Sequence, residues 1–304
     1  MALISNLQHR TLAVVVVTTL FASQGCVSWR SIHPTSKSAA AGRQLARQGI
    51  SAMECGQCTE GESILRAAID KNPEDPLPRS HLAEALCRRN AKEEALEQFT
   101  AAAQLAPEDA SLAVRTGELL LESNRAEEAA SEAARAVRLD RDLADGWALR
   151  GRAQAAMGFE DRALADYQHA LLLAPSNAEV LLALSSLYSR RGQHQRCLAT
   201  LHRLLDTFPP GAEPADALLL EGSTYLALDR PAQAGERLAL ASERGLATAE
   251  LRVMQAKVEL ARDRPQPAEQ FVRQALTLDA THEPARQLLQ QISQRPDSAE
   301  PYLR

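Results

Sequence analysis

Aromatic side chains are scarce in this chain: five Phe, four Tyr and two Trp among 304 residues, or 4%. β-Sandwiches and barrels fill their pleated faces with aromatic and β-branched residues, so the scarcity argues against an all-β fold. There is no excess of positive charge. The 34 Lys and Arg stand against 39 Asp and Glu, a net charge of −5, where a nucleic-acid binder shows a basic surplus. Fourteen Gly and fifteen Pro exclude collagen-like and low-complexity chains. No long apolar run is present either. The uncharged stretch 11–22 would span about 18 Å as a helix, against roughly 30 Å of bilayer hydrocarbon. The seven His fall at no metal-ligand spacing, and neither a phosphate-binding glycine loop nor a GxSxG elbow occurs. No catalytic residue, metal, cofactor or small-molecule substrate is therefore expected. What is abundant is Ala, Leu, Glu and Arg, a helix-forming composition.

The N-terminus carries an address. Arg10 precedes the uncharged stretch 11–22, and Ser23-Gln24-Gly25-Cys26 follows it; length and flanks fit the apolar region of a secretory signal. The segment resembles a bacterial lipoprotein signal peptide. Gly25 and Cys26 match its pattern, whereas Ser23 and Gln24 depart from the preferred Leu and small residue. The resemblance implies removal of 1–25, lipidation of Cys26, and attachment to an envelope membrane facing the periplasm. Val27 in place of Asp after that Cys points to the outer membrane. An ordinary cleaved signal, or an uncleaved anchor reaching Trp29, are the alternatives. Residues 26–41 show no sustained period and read as a flexible tether.

From Gly42 the sequence repeats every 34 residues. Repeats start at Gly42, Pro76, Ala110, Ala144 and Ala178 and, after three extra residues within 209–214, at Ala215 and Ala249. Position 8 holds Gly49, Ala83, Gly117, Gly151, Ser185, Gly222 and Ala256; position 20 holds Gly61, Ala95, Ala129, Ala163, Cys197, Ala234 and Ala268. Such small columns let paired helices approach closely. Position 15 holds Gly56, Asn90, Asn124, Gly158, Gly192, Asp229 and Asp263, residues suited to a turn or a helix C-terminus. Larger side chains, among them Leu65, Phe99, Tyr167, Leu201 and Leu238, fill position 24, and Pro73, Pro107, Pro175 and Pro209 stand at position 32, where they stop a helix.

This pattern resembles the tetratricopeptide repeat, most fully over 144–177, where Trp147, Gly151, Gly158, Ala163, Tyr167, Ala170 and Pro175 are all in register. The resemblance implies an all-α, right-handed solenoid of seven helix-turn-helix repeats (42–75, 76–109, 110–143, 144–177, 178–211, 215–248 and 249–282). Residues 283–294 fit a capping helix with a polar outer face, the solenoid as a whole spans 42–294, and the tail 295–304 is expected to be disordered.

In that family the first helix of each repeat lines a concave groove. Carried over column by column, the groove residues are Val114, Glu118, Leu121, Arg152, Leu182, Ser186, Leu219, Ser223, Leu226, Val253 and Lys257. The C-terminal part is apolar, suited to a protein segment with aliphatic anchors or to an amphipathic helix; packing against neighbouring helices is the competing reading. Asp145, Glu179, Asp216 and Glu250 share position 2, where a carboxylate stabilises its helix through the N-terminal dipole. The clamp that chaperone-tail binders use is not matched, since of Ala46, Ile50, His81, Ser111 and Arg115 only Arg115 suits it.

Cys55-Gly-Gln-Cys58 flanks the turn of the first repeat, and Cys87 lies at position 12 of the second. In an oxidising envelope a disulfide is expected, either Cys55–Cys58 or one of these to Cys87; Cys197 reads as a core residue. Together these features indicate a non-enzymatic scaffold, lipid-anchored in the bacterial envelope, that binds a protein segment during assembly or transport. An adaptor for a periplasmic enzyme complex (cytochrome maturation or glycan synthesis) is the alternative, with an unrecognised hydrolase behind it.

Overall fold

The structure is a computed structural model that describes residues 36–294. These residues form fifteen α-helices and no strand, in two compact units that meet in sequence at Leu105 and Ala106. The first unit holds α1 (Ser36–Glu54), α2 (Cys58–Lys71), α3 (Pro76–Arg88) and α4 (Lys92–Leu105). The second holds α5 (Ala110–Glu122), α6 (Ala126–Leu139), α7 (Ala144–Ala156), α8 (Glu160–Leu173), α9 (Ala178–Arg190), α10 (His194–Leu205), α11 (Ala215–Ala227), α12 (Pro231–Glu243), α13 (Ala249–Ala261), α14 (Pro265–Leu278) and α15 (Glu283–Ser293). Within each unit the helices pack as hairpin pairs, each pair against the next.

Local chemistry sets both ends of these helices. At position 15 all seven residues adopt positive φ, from 56° at Asp263 to 83° at Gly158. A residue there reverses the chain after the first helix without lengthening the turn, and Gly, Asn and Asp pay the least for it. Position 34 supplies N-caps that the repeat pattern did not single out. Asp75, Asp109, Asn177 and Thr248 each accept a backbone N–H from the following first turn, satisfying donors that the helix leaves open.

The small columns work as clearance. A Cβ on Gly151 would lie 2.7 Å from Cδ1 of Tyr167, and one on Gly222 would lie 2.7 Å from the Leu238 side chain. Position 8 therefore gives way to the bulky position 24 across the hairpin. In repeat 110–143, where position 24 is only Ala133, the space at Gly117 is taken by Leu149 of the next repeat, 2.5 Å from the same virtual Cβ. Ala133 and Leu149 accordingly share one core with Ala113, Val114 and Ala136. Burying each such leucine stabilises the fold by roughly 1.5–3 kcal/mol.

Arginines fasten successive repeats. Arg135 and Arg203, both at position 26, donate to the carbonyls of Pro107 and Pro175, the position-32 prolines one repeat earlier, at 2.8 and 3.2 Å. Arg191 reaches back to Asp161 at 2.6 Å. The three-residue insertion is closed by Arg244, which donates to Glu213 at 2.8 Å. That hydrogen bond draws the Glu213 carboxyl down to about 2.

One boundary differs from expectation. The chain is helical from Ser36 rather than from Gly42, so 36–41 belong to α1 and not to a tether. Ala39, Ala40 and Ala41 favour helix, and the Ser38 hydroxyl donates to the Lys71 carbonyl at 2.7 Å. At Gly42 the end of α2 comes so close that a Cβ would lie 2.6 Å from the Asn72 Cβ. Residues 26–35 and the tail 295–304 lie outside the described residues.

Candidate partner-binding face

The first helices of the second unit, α5, α7, α9, α11 and α13, carry all eleven residues assigned to a groove. Leu121 is partly buried against the core around Val114 and Leu149, and Leu182 against the core of Leu181, Leu184 and Tyr188. Leu219 and Leu226 stand in the same relation to the core of Leu218, Tyr225 and Leu238. Each offers the rest of its surface to solvent. Between them stand polar side chains: Glu118 paired with Arg115 at 3.1 Å, Arg152 paired with Glu179 of the next repeat, half-buried Ser186, Ser223 donating to the Leu220 carbonyl at 2.9 Å, and exposed Lys257. The result is a row of aliphatic side chains with few charges, most continuous over α9 and α11.

Two of the eleven do not belong to that face. Val114 and Val253 are buried, the latter completely, among Ala113, Ala133 and Leu149 and among Ala256, Ala268 and Val272 respectively. Position 5 borders the packed stripe, and a side chain branched at Cβ stays under the neighbouring helix where a leucine reaches past it. The position-2 carboxylates Asp145, Glu179, Asp216 and Glu250 all sit in the first turn of their helices, as the dipole favours.

Sequence reasoning missed two buried polar networks that share one pair of columns. Arg150 at position 7 forms a bidentate pair with Asp166 at position 23, at 2.9 and 2.6 Å. The Arg150 guanidinium also lies 4.5 Å from the Trp147 ring, and that ring packs against His169 at a 38° tilt, with centroids 3.8 Å apart. The hydrogen bond to Asp166 holds Arg150 above its ordinary value. In repeat 215–248 the same columns carry the opposite signs: Glu221, wholly buried, and Arg237, 3.3 Å apart. The second Glu221 oxygen lies 3.2 Å from Nε2 of His202 on α10. Complementary charges sixteen residues apart, with the sign reversed between two repeats, were the available sequence signal. Elsewhere in the second unit, burial pushes the Tyr167 hydroxyl up to about 12, so that it serves as core rather than as an acid.

Cys26 lies outside the described residues. Cys55 and Cys58 are free thiols in this structure, and the disulfide among Cys55, Cys58 and Cys87 stays an expectation for an oxidising envelope. Backbone hydrogen bonds from Cys55, Gly56 and Gln57 to Ser51, Met53 and Ala52 close α1. They leave Cys55 exposed in the turn, while Cys58 opens α2 as its first residue and Cys87 is half-buried on α3. Cys197 is fully buried, as its column implies. Among the described residues no group of three or more His, Cys, Asp or Glu is arranged to hold a metal. No helix among them is long and apolar enough to cross a membrane.

A family model for the tetratricopeptide repeat matches residues 46–110 and 82–144. No curated protein matches the chain. Among solved structures, a tetratricopeptide repeat protein from Parabacteroides merdae is similar at 18% identity and TM-score 0.61, over 84% of this chain and 99% of that one. PilF of Pseudomonas aeruginosa is similar at 17% identity and TM-score 0.64, over 73% and 100%. PilW, described as a widely conserved type IV pilus biogenesis factor, is similar at 19% identity and TM-score 0.63, over 70% and 97%.

Proposed function

We propose that this chain, which matches the tetratricopeptide-repeat model over residues 46–144, is a non-enzymatic scaffold that binds a partner segment along the first helices of its second unit. One observation carries the reading. The aliphatic row of Leu121, Leu182, Leu219 and Leu226 is only partly consumed by the cores beneath it. Apolar surface left open in a row along parallel helices suits an aliphatic segment or the apolar face of an amphipathic helix. A photo-crosslinker at Leu182 or Leu219, compared with one at exposed Glu93 on α4, tests it in cells. Capture of the same protein from both leucine positions and not from Glu93 supports the reading; no adduct at the leucines overturns it.

The scaffold is proposed to act in the bacterial envelope, anchored to the outer membrane by lipid on Cys26. The uncharged stretch 11–22 and Gly25-Cys26 support this. Cys26→Ser, or globomycin treatment, is expected to accumulate the precursor; an unchanged mature size and membrane fraction would sink the anchor. Because PilW is described as a pilus biogenesis factor, a pilus-assembly protein is the first partner to seek. Capture of a stable periplasmic enzyme instead would make the chain an adaptor subunit.

A further inference from the structure

The joint between repeats 178–211 and 215–248 carries the sign-reversed counterpart of the Arg150–Asp166 pair, in incomplete form. At Arg150–Asp166 the guanidinium fork serves both carboxylate oxygens, so that pair is complete within one hairpin. At Glu221–Arg237 the approach is by a single guanidinium nitrogen, Nε, at 3.3 Å from Oε2, and that oxygen forms no well-aligned hydrogen bond. The carboxylate nevertheless has no contact with solvent. Its other oxygen, Oε1, turns to His202 of the preceding repeat, at 3.2 Å. The Tyr225 hydroxyl lies 3.4 Å from the same His202 Nε2.

We propose that His202 and Glu221, backed by Arg237 and Tyr225, form a pH-responsive clasp between α10 and α11 that tightens as the pH falls.

A buried carboxylate with one poorly aligned cation is costly, and a second cation relieves it. Imidazole is the side chain that acquires charge between pH 5 and 8. His202 is half-exposed, so the proton reaches it from solvent without unfolding. Burial pushes the Glu221 carboxyl above its ordinary range, opposed by Arg237 and His202. A group raised in the folded state stabilises the fold below its unfolded pKa, and that contribution is lost as the pH rises through the folded value. Uptake of one proton by the His202–Glu221 contact therefore favours the folded state.

The remaining neighbours do not reverse it. Cys197 of α10, which feels the Glu221 charge, is held above its ordinary value by burial, and Tyr225 is likewise raised by burial and by Glu221. Arg230 and Arg237 face Tyr225 as permanent cations. The contacts of α9 and α13 in the cores around α11 are apolar: Leu184 and Leu187 beside Ala217, and Leu251 and Val258 beside Leu218.

The test is hydrogen–deuterium exchange on the full-length chain at about pH 5.5 and about pH 8, corrected for intrinsic exchange rates. Protection of α10 and α11 is expected to be about tenfold greater at the lower pH, which corresponds to one pKa unit of coupling. Peptides of α7 and α8, around Arg150–Asp166, are expected to lack that difference. Glu221→Gln keeps the shape and removes the charge; His202→Asn changes a half-exposed residue. Glu221→Gln is expected to abolish the pH difference and His202→Asn to reduce it. Protection of α10 and α11 that does not change with pH, a difference that survives in Glu221→Gln, or one undiminished in His202→Asn, overturns the clasp.

Discussion

At the scale of single residues, two kinds of glycine recur in the repeat and do different work. Gly151 is required for clearance: a Cβ there would meet Tyr167 at 2.7 Å and the Ala163 carbonyl at 3.3 Å, and Tyr167 is too deeply buried to swing away. Gly158 is required for conformation: φ is +83° and nothing lies within 4 Å of its virtual Cβ. Gly151→Ala is expected to lose about 1–3 kcal/mol, the cost of overpacking. Gly158→Ala should lose only the cost of left-handed backbone, about 1–2 kcal/mol. Chemical denaturation separates the two when each variant is combined with Tyr167→Leu. The loss at Gly151 should shrink in that background, while the loss at Gly158 should simply add. Additivity at both sites would show that the ring is not what Gly151 accommodates.

Between helices, the buried pairs decide more than their number suggests. Asp166 keeps 7% of its side chain exposed and Arg150 keeps 25%. Removing the arginine alone strands a carboxylate in the core of the α7–α8 hairpin. Arg150→Met is therefore expected to cost about 3 kcal/mol, at the low end for a broken buried pair because the guanidinium retains water. Arg150→Met with Asp166→Leu should recover most of that loss, since an apolar pair of similar volume is often neutral. Urea midpoints at constant m-value check it; a double variant as unstable as the single one would mean that the Trp147 stacking on Arg150, and not the charge, was lost.

For the whole molecule, nearest-neighbour packing is the governing fact. Within each unit, helices contact their own hairpin partner and the adjacent hairpin, so stability is distributed as local elements joined by interfaces. The last unit depends on its cap: Ala285, Leu288 and Ile292 of α15 pack on Val253, Ala268, Val272 and Ala275. Truncation before Glu283 is expected to strip hydrogen-exchange protection from α13 and α14 while α5 and α6 keep theirs. A uniform loss across the second unit would indicate one cooperative block.

How far the sequence reached follows from these same residues. It determined the helix pairs and their turns, because position 15 needs a residue tolerant of positive φ seven times over and position 8 needs a small one. A requirement met by the backbone alone, at a fixed spacing, is written into every repeat and survives variation around it. Which side chains face outward was not settled in that way. Val114 and Leu182 occupy the same column, yet one is buried and the other half-open, because burial depends on how far each reaches past a neighbour contributed by another helix. The extension of α1 to Ser36 turned on a contact with the end of α2, 33 residues away. Glu221 had no visible partner in its own helix; only the stacking of three helices brought His202 and Arg237 to its two oxygens.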